Sequence, residues 1–387
     1  MSGRPLHAAV LPAGRPLLDL LRTALAGGPA IMPIDPGLPA PVRDRLLAAM
    51  RPHALVQTGG ARPLAGGVAA PDDVALVITT SGSTGEPKGV ELTASALRHS
   101  ATATLQRINA APGDRWLCCL PPSHIAGVQV LIRSVVCGTD PVLVERFTVA
   151  AVAGAPAEHI AVVPTMLRRL LDAGTDLARF TSVLVGGAAL GHDLLERARA
   201  AGAPVVLTYG MTETAGGCVY DGRPLDGVTV DLTTEGRIRI SGPVLARGYR
   251  LRPDLQAATF AGGRLITSDL GSIADDGRLQ VLGRIDDVIV TGGVNVSAAA
   301  VGDLLATHPD VAQAAAVAAA DEEWGQRVVA IVVPRTPAGP PTLAALRAYV
   351  AAQAPASHAP RELVLVEALP MLASGKLDRL AVQGMRR

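Results

Sequence analysis

The segment Thr79–Gly89, TTSGSTGEPKG, concentrates hydroxyl side chains, glycines and one lysine in a short stretch. Before it, the apolar run Val74–Ile78 has the length of a strand, and after it Leu92–Ile108 predicts a helix. A glycine-rich turn at a strand end can present successive backbone N–H groups to an anion. The hydroxyl and ammonium donors that could assist are those of Ser81, Ser83, Thr84 and Lys88. The segment therefore predicts a polyphosphate-binding loop, against the plainer interpretation of a flexible Gly/Ser turn.

Three familiar glycine-rich motifs do not fit this segment. A Walker loop requires G-x-x-x-x-G-K-[ST], whereas here Pro87 precedes the lysine and Gly89 follows it. The glycine spacing and Pro87 also disagree with the dinucleotide fingerprint G-x-G-x-x-G. Ser81 occupies the first glycine position of the nucleophile elbow G-x-S-x-G. A phosphate loop of another class is the remaining chemical interpretation.

Two further segments could contact a small ligand. LPPSHIAG places His124 on a loop after a predicted strand at Trp116–Leu120, where a lone histidine is more often a surface or packing residue. VGGAAL at Val185–Leu190 ends a strand with paired glycines. Because glycine has no Cβ, a flat ring could lie against that backbone, although a tight turn to a helix explains the pair equally well.

Charged side chains follow other predicted strand ends. In TYGMTET, after a strand at Pro204–Leu207, Glu213 could bind magnesium and Thr212 could donate to a phosphate oxygen, whereas a lone TET is usually a helix cap. Asp269 in TSDLG and Arg284 in GRIDD could grip a ribose diol, or form a surface ion pair of little energetic value. Lys376 lies in ASGKLDR near the C-terminus, where a lysine is normally solvated.

The elements that would position these residues alternate between strand and helix. Strands are predicted at Ile160–Val163 and Val183–Val185, and helices at Val42–Met50, Thr165–Ala173 and Asp193–Ala201. This rhythm predicts a largely parallel α/β sheet covered by helices. Short strands at Arg237–Ile240 and Arg278–Leu282, separated by glycine-rich turns, predict an antiparallel or barrel-like subdomain. A compact α+β pattern follows, with helices at Ala298–Thr307 and Leu343–Gln353 and strands at Val328–Val333 and Leu363–Val366.

Composition narrows the class of protein. The 387 residues allow two or three domains, and a net charge of +1 argues against a nucleic-acid binder. The four cysteines match no zinc motif, so we expect buried free thiols and a reducing, cytoplasmic environment. No apolar stretch reaches the roughly 18 residues of a membrane span, and no signal-peptide core is evident.

The order of the motifs is more specific than any one of them. TTSGSTGEPKG, PPSHIAG, GGAAL, TYGMTET, TSDLG, GRIDDVIVTGGVNV and SGKLDR together resemble the acyl-adenylate-forming superfamily, which includes acyl- and aryl-CoA synthetases, firefly luciferase and peptide-synthetase adenylation domains. The resemblance covers Val74–Arg379. It implies an AMP-forming acid–thiol ligase that uses ATP, Mg²⁺ and coenzyme A on a small-molecule carboxylate. It also implies a large domain over 1–285, with β-sheets, flanking helices and a β-barrel-like part, and a small mobile α+β domain over 286–387.

The resemblance assigns a role to each motif residue. The β- and γ-phosphates would be held by Thr80, Ser81, Gly82, Ser83, Thr84, Gly85 and Lys88. Adenine would be bordered by Gly186, Gly187, Ala188 and Tyr209, and ribose held by Asp269 and Arg284. Gly210 and Met211 would also belong to the ATP/AMP-binding site. Thr212 would contact the α-phosphate, Glu213 the magnesium, and Lys376 the reacting carboxylate and α-phosphate. The acyl pocket would include His124, Ala215 and Gly216. Asp286 would be the hinge, and Gly292–Gly293 would line the CoA tunnel, where a Cβ would obstruct the thiol arm.

Several sequence segments indicate one subfamily. VLVGGAAL, YGMTETAGGCVYDG, PLDGV, VTGGVNVS and EWGQRV are similar to bacterial o-succinylbenzoate–CoA ligases of menaquinone biosynthesis. Two departures from the family pattern occur: Ser268 replaces a glycine before the ribose carboxylate, and Ala300 and Gly302 stand where the following helix usually carries glutamates. The alternatives are a ligase for another acid, an enzyme that loads a carrier protein, and a non-catalytic ATP-binding scaffold. A homodimer is the candidate assembly.

Overall fold

A computed structural model describes residues 3–81, 87–371 and 377–385 of the chain. The chain divides into two compact units. Unit 1 comprises Met1–Val230 and Ile240–Ile266, and unit 2 comprises Asp231–Arg239 and Thr267–Arg387. The predicted domain boundary between 285 and 286 remains a prediction.

The described strands are, in chain order, β1 Leu6–Val10, β2 Ala30–Ile34, β3 Ala54–Gln57, β4 Gly60–Pro63, β5 Val74–Ser81, β6 Pro87–Thr93, β7 Trp116–Cys118, β8 Val142–Leu143, β9 His159–Val162, β10 Ser182–Val185, β11 Val205–Met211, β12 Gly216–Tyr220, β13 Arg223–Pro224, β14 Thr229–Leu232, β15 Arg237–Ser241, β16 Gly248–Tyr249, β17 Phe260–Ala261, β18 Arg264–Ile273, β19 Leu279–Arg284, β20 Val288–Thr291, β21 Val294–Ser297, β22 Val311–Asp321, β23 Gly325–Pro334 and β24 Glu362–Leu365. The described α-helices are α1 Arg15–Leu25, α2 Ala40–Met50, α3 Ala94–Arg107, α4 Ile125–Cys137, α5 Val149–Ala153, α6 Pro164–Asp172, α7 His192–Ala200, α8 Pro253–Thr259, α9 Ala298–Ala306, α10 Leu343–Ala351 and α11 Arg379–Gly384.

Two seven-stranded sheets form the body of unit 1. One has the order β16-β6-β5-β2-β1-β3-β4 and the other β13-β12-β11-β10-β9-β7-β8. The central pairs β9–β10 and β10–β11 are parallel, as the alternation of strands and helices predicts. Strands β9 and β10 are buried along their whole length, as expected of parallel strands that helices cover on both faces. Their two polar residues, His159 and Ser182, hydrogen-bond each other at 2.9 Å.

The segment around the predicted phosphate loop differs from its prediction. We expected a helix from Leu92, but β6 continues to Thr93 and pairs antiparallel with β5, so the segment forms a hairpin. Helix α3 begins at Ala94, where the Thr93 hydroxyl accepts from the Ala96 N–H at 3.0 Å. The N-cap hydroxyl thus sets the helix start two residues later than the apolar pattern suggested.

The antiparallel strands predicted from Arg237 onward are confirmed. The third sheet has the order β14-β15-β18-β17, with β19 paired to β18, and β18 pairs antiparallel with both β17 and β19. In unit 2 a further sheet has the order β21-β20-β23-β22, with β24 parallel to β23. Helices α9 and α10 pack on it through buried Val301, Leu305, Leu346 and Val350.

The strands that sequence reasoning missed include two informative groups. β1–β4 lie in the Ala-, Leu- and Pro-rich N-terminal stretch, and β22 is the alanine-rich run VAQAAAVAAAD. Alanine has low strand propensity, and β22 forms because it pairs with β23 over ten residues from Val311 to Asp321. Over the described ranges, no helix is both long enough and apolar enough to cross a bilayer.

Candidate active site

The paired glycines predicted to lie under a flat ring stand at the end of β10, beside β11. A Cβ on Gly186 would overlap the Thr208 hydroxyl oxygen, and Gly187 has φ +83°. Only glycine fits both demands without strain. Gly186 is half-buried, whereas Gly187 and Ala188 are exposed. The carboxyl end of β10 therefore carries a flat backbone surface at the edge where ligands of α/β sheets collect.

The TYGMTET segment is more regular than predicted, because β11 continues through Tyr209 and Gly210 to Met211 rather than ending at Leu207. Antiparallel pairing with β12 extends it, with an irregular register between Tyr209 and Gly210. A Cβ on Gly210 would overlap the carbonyl oxygen of Gly216. The close approach of β12 is the physical reason for glycine at this position.

A single 3-10 turn, Thr212–Thr214, follows β11 and presents Thr212 and Glu213. The Thr214 side chain is buried, accepts from the Met211 N–H at 2.9 Å and donates to Gly216 O at 2.7 Å. One hydroxyl thereby joins the end of β11 to the start of β12 across the turn. The predicted helix-cap interpretation of TET applies to Thr214, and the neighbouring threonine and glutamate remain half-buried at the surface.

The residue after this turn is held in an unusual conformation. Ala215 has φ +51°, a left-handed conformation that L side chains rarely adopt. Its carbonyl oxygen accepts from Gln129 Nε2 at 2.6 Å and from the Ser100 hydroxyl at 3.1 Å, and both side chains are fully buried. Sequence reasoning missed Gln129 and Ser100, since their role depends on α3 and α4 packing behind β12.

Glu213 is held by two contacts that sequence reasoning missed. Its carboxylate Oε1 accepts from the Tyr249 phenol at 2.7 Å, and its backbone oxygen accepts from the Ala246 N–H at 2.8 Å. Burial, followed by the neighbouring Glu213 charge, raises the pKa of Tyr249, so the phenol is a donor at neutral pH. No local motif marks Tyr249, because it reaches Glu213 from a strand 36 residues away.

The donor set at Glu213 suits magnesium. Among the described residues, no group of three or more His, Cys, Asp or Glu side chains could form an all-protein metal cage. Mg²⁺ is commonly bound by one or two carboxylates together with substrate phosphates and water. A single oriented carboxylate at the end of β11 therefore fits this ion.

The predicted phosphate hairpin, formed by β5 and β6, is anchored from its other edge. Thr80 in β5 pairs with Lys88 in β6, and both are half-buried; the Ser81 side chain and Gly82, Ser83, Thr84 and Gly85 lie outside the described residues. β6 pairs antiparallel with β16, which places Val90 opposite Tyr249. The Arg250 N–H donates to Gly89 O at 2.7 Å. The strand that carries Lys88 thus adjoins the strand that carries Tyr249.

The predicted acyl-pocket residues meet on two neighbouring elements. His124 is exposed and forms the N-cap position of α4. Gly216 begins β12, and a Cβ there would approach Gln129 Cγ to 3.1 Å and Ile125 Cγ1 to 3.8 Å. The first turn of α4, directly after His124, therefore packs on the Ala215–Gly216 backbone.

In unit 2, Asp269 and Arg284 are opposite each other on β18 and β19. Arg284 Nη1 lies 3.9 Å from Asp269 Oδ1, and Arg284 Nη2 lies 3.0 Å from Asp286 Oδ2. The Asp269 N–H donates to the buried Thr267 hydroxyl at 3.0 Å. Ser268 lies between Thr267 and Asp269 within β18, so a serine in place of the glycine of the family pattern does not interrupt the strand. A carboxylate and a guanidinium are thus paired across two strands.

The predicted CoA-tunnel residues Gly292 and Gly293 lie on a turn. Gly292 and Gly293 connect β20 to β21 with φ +56° and +77°, and a Cβ on Gly292 would overlap the Trp324 ring. Lys376 lies outside the described residues; Met371 and Leu377 on either side of it form an antiparallel bridge. The next helix, α11, places Arg379 in an ion pair with Asp287.

The fold and these groups define a nucleotide-binding α/β enzyme, with a phosphate hairpin, a flat strand-end surface and one oriented carboxylate. The sequence profile of AMP-binding enzymes matches residues 42–250, and that of the AMP-binding enzyme C-terminal domain matches residues 300–376. The chain belongs to the AMP-binding enzyme family. The resemblance to acyl-adenylate-forming enzymes is therefore confirmed.

Named relatives agree with this assignment. The probable 2-succinylbenzoate–CoA ligase of Mycobacterium tuberculosis H37Rv is 42% identical, over 98% of this chain and 97% of the relative. The 2-succinylbenzoate–CoA ligase of Bacillus subtilis 168 is 33% identical, over 82% and 70%. Among solved structures, the o-succinylbenzoate–CoA synthetase of B. subtilis with its acyl-adenylate intermediate superimposes with a TM-score of 0.87 and 28% identity, covering 98% of this chain and 88% of that one.

Proposed function

We propose that the chain is an ATP-dependent acid–thiol ligase that converts o-succinylbenzoate to its CoA thioester in menaquinone biosynthesis. The observation that carries the proposal is the 42% identity to the M. tuberculosis relative over 98% of this chain. A structure of the B. subtilis enzyme was solved with ATP and magnesium, which supports the same substrates here. The placement of Lys88 on β6, the glycine pair after β10 and the Glu213 carboxylate supports the proposal, since such a reaction must bind phosphates, a base and a metal ion.

The reaction has two steps. A carboxylate oxygen attacks the α-phosphorus of ATP, the bond to the bridging oxygen breaks, and pyrophosphate leaves with that electron pair. The CoA thiol sulfur then attacks the acyl carbon, the bond to AMP breaks, and the thiol proton is released to solvent. The protein must hold crowded anions and align the attack in the first step.

Unit 1 would bind the triphosphate. The hairpin residues Thr80 to Gly85, with Lys88, would hold the β- and γ-phosphates, and the Thr212 hydroxyl would donate to the α-phosphate. Magnesium, bound through Glu213, would neutralise charge on the leaving pyrophosphate. Adenine would lie on the flat surface of Gly186, Gly187 and Ala188, bordered by Tyr209, Gly210 and Met211. This surface suits a ring because no side chain projects from the glycines.

Unit 2 would bind ribose and supply the mobile lysine. Asp269 and Arg284 would hold the two ribose hydroxyls, and Lys376 would donate to oxygens of the reacting carboxylate and α-phosphate. A small domain over 286–387, turning about Asp286, would then remove Lys376 and bring Gly292–Gly293 to the thiol arm. Exchange of this kind lets one site support two different geometries.

The acyl group would lie near α4 and β12. His124 is exposed at the N-cap of α4, where an imidazole can donate to a substrate carboxylate, and Ala215 and Gly216 form the backbone beside that helix. o-Succinylbenzoate carries a second carboxylate besides the one that reacts, and His124 would bind it.

A panel of acids tests the proposal. The purified chain is incubated with ATP, Mg²⁺, CoA and either o-succinylbenzoate or benzoate, and thioester, AMP and pyrophosphate are measured. Product with o-succinylbenzoate is expected. Product only with another acid would identify a different CoA ligase, and pyrophosphate release without a CoA thioester would indicate a carrier-protein loader. Absence of pyrophosphate release with every acid would leave the scaffold interpretation.

The role of Lys376 is tested by separating the half-reactions. Lys376→Ala should lose adenylate formation by about 10²–10³-fold, the cost of removing one preorganised transition-state donor. Thioester formation from supplied acyl-adenylate should be largely retained. Equal loss in both half-reactions would contradict the assignment.

We also propose a cytoplasmic location and a homodimer. Cys118, Cys119, Cys137 and Cys218 are free thiols, as expected where disulfides do not form, and ATP and CoA are intracellular substrates. Cell fractionation tests the location, and light scattering after size exclusion should give twice the chain mass of 39.5 kDa.

A further inference from the structure

We propose that Tyr249 is a positioning residue: its phenol fixes the Glu213 carboxylate so that the second carboxylate oxygen faces the magnesium of bound MgATP. The phenol donates to Oε1 at 2.7 Å. This hydrogen bond restricts rotation of the carboxylate and so orients its other oxygen, Oε2. Tyr249 has this role only if the chain binds MgATP as proposed above.

Tyr249 is itself rigidly held. Its N–H donates to Gln256 Oε1 at 3.1 Å, and Gln256 Nε2 donates in turn to Arg247 O at 3.0 Å. Its ring packs edge-on against Phe260, with ring centroids 5.9 Å apart. A Cβ on the preceding Gly248 would overlap the Gln256 amide, so the glutamine side chain closes tightly over this backbone. A donor fixed in this way can hold a flexible partner.

Strand β16, which carries Tyr249, connects the Glu213 carboxylate to the phosphate hairpin. Tyr249 pairs with Val90, two residues after Lys88 on β6, and Gly248 pairs with Glu91. The turn that carries Glu213 contacts β6 directly. Tyr249 therefore sets the separation between the carboxylate for the metal and the strand that holds the lysine for the leaving phosphates. Both groups must act on one triphosphate, so their spacing matters.

The physical cost of losing the phenol falls on metal binding. A half-buried glutamate without a partner samples several rotamers, and binding a metal would then cost the entropy of fixing it. Hydrogen-bonded partners of metal ligands, when removed, lower metal affinity by about 10–100-fold. A phenol that only fills space would instead lower folding stability and leave metal affinity unchanged.

Tyr249→Phe removes the hydroxyl and keeps the ring. The probe is Mn²⁺ in the presence of ATP and the enzyme, followed by the electron paramagnetic resonance signal of free Mn²⁺, with no acid present so that no turnover occurs. We expect the variant to bind Mn²⁺ at least tenfold more weakly in the ternary complex. Its adenylation rate should recover at high Mg²⁺, and thioester formation from supplied acyl-adenylate should match wild type.

Tyr349→Phe is the matched control. Its half-buried phenol hydrogen-bonds Thr307 Oγ1 at 2.9 Å in unit 2, so the change is chemically the same at a site outside the nucleotide machinery. This variant should bind Mn²⁺ and turn over as wild type. In a double-mutant cycle, Tyr249→Phe should add little to Glu213→Gln, because the phenol acts through that carboxylate.

The outcomes separate the two proposals. Wild-type Mn²⁺ affinity in Tyr249→Phe, or additive effects in the cycle, would overturn the role of Tyr249 while leaving the ligase activity intact. Mn²⁺–ATP binding that depends on Tyr249, without thioester formation from any acid, would uphold Tyr249 and overturn the proposed function. A wild-type chain that binds no Mn²⁺–ATP would overturn both.

Discussion

Arg250 offers the sharpest test of how the phosphate hairpin is supported. Its side chain is 2% exposed; Nε donates to Met50 O at 2.7 Å, Nη2 donates to Val68 O, and Nη1 lies 3.3 Å from Glu91 Oε1. These contacts clamp β6 and β16 to the end of α2. Replacement by methionine keeps much of the volume and removes every donor.

The expected loss follows from those contacts. Breaking a buried ion pair by removing one partner costs about 3–5 kcal/mol, since the remaining charge stays buried. The Met50 and Val68 carbonyls each lose a hydrogen bond worth about 0.5–1.5 kcal/mol. The cost of breaking the ion pair already includes part of this loss. We therefore expect Arg250→Met to lower the unfolding free energy of unit 1 by about 4 kcal/mol. Arg250→Met with Glu91→Met should recover more than half of the loss, because no charge is left behind.

The pH dependence has a defined sign. Burial raises the pKa of Glu91, and Arg250 opposes that rise by its charge and its hydrogen bond. A carboxyl with a raised folded-state pKa binds its proton more tightly when folded, so stability falls as pH rises from the ordinary value of 4.5 through the raised value. Without Arg250, the pKa of Glu91 in the folded state rises further, and the pH range over which stability falls becomes wider. The destabilisation by Arg250→Met should be largest near pH 8 and shrink toward pH 5.

The assay uses the two tryptophans, of which Trp116 is buried in unit 1. In a Trp324→Phe background, urea unfolding followed by fluorescence reports the surroundings of Trp116 alone. Equal losses in the single and double variants, or a loss independent of pH, would refute the proposed clamp.

Three further predictions concern other parts of unit 1. Gly186→Ala should lower stability by about 1–3 kcal/mol and raise the KM for ATP, and adding Thr208→Ala should restore much of the stability because the overlapping hydroxyl is gone; no rescue in thermal unfolding would contradict this. His124→Ala should raise the KM for o-succinylbenzoate about tenfold with little change in the KM for ATP; steady-state kinetics with each substrate varied decides it. Cys137 should react first with a thiol reagent in the native state, because burial raises the pKa of Cys119 and Cys218 to about 12 and that of Cys118 further; simultaneous labelling of all four would be inconsistent with the fold.

The fold class and the end of β10 were predictable because periodicity and glycine placement are local signals. The C-terminal end of β11 was not predictable, since antiparallel pairing with β12 extends the strand through Met211. The alanine-rich β22 has no local strand signal, and only its long pairing with β23 stabilises it. Elements whose hydrogen-bond partners are distant in sequence are those that the pattern misses.

The same division applies to the site. Groups that would touch the nucleotide, such as Glu213 and Asp269, occur in short motifs, so they were recognised as candidates. Groups that hold them do not: Tyr249 reaches Glu213 across 36 residues, and Gln129 reaches Ala215 across 86. A supporting side chain needs only one donor at the right place, and any strand or helix that passes nearby can provide it.

Glycines also help to position the residues that would touch the nucleotide. At Gly186 and Gly210 the missing Cβ lets a neighbouring strand approach until its atoms occupy the space that a side chain would fill. The close approach at Gly210 sets the register of β11 and β12, and that register fixes the turn carrying Thr212 and Glu213. Substitution at Gly210 should therefore displace a carboxylate three residues away as well as the backbone at the substituted position. The motif TYGMTET thus combines a packing requirement with two chemical groups, which explains why it is informative even though a lone TET is not.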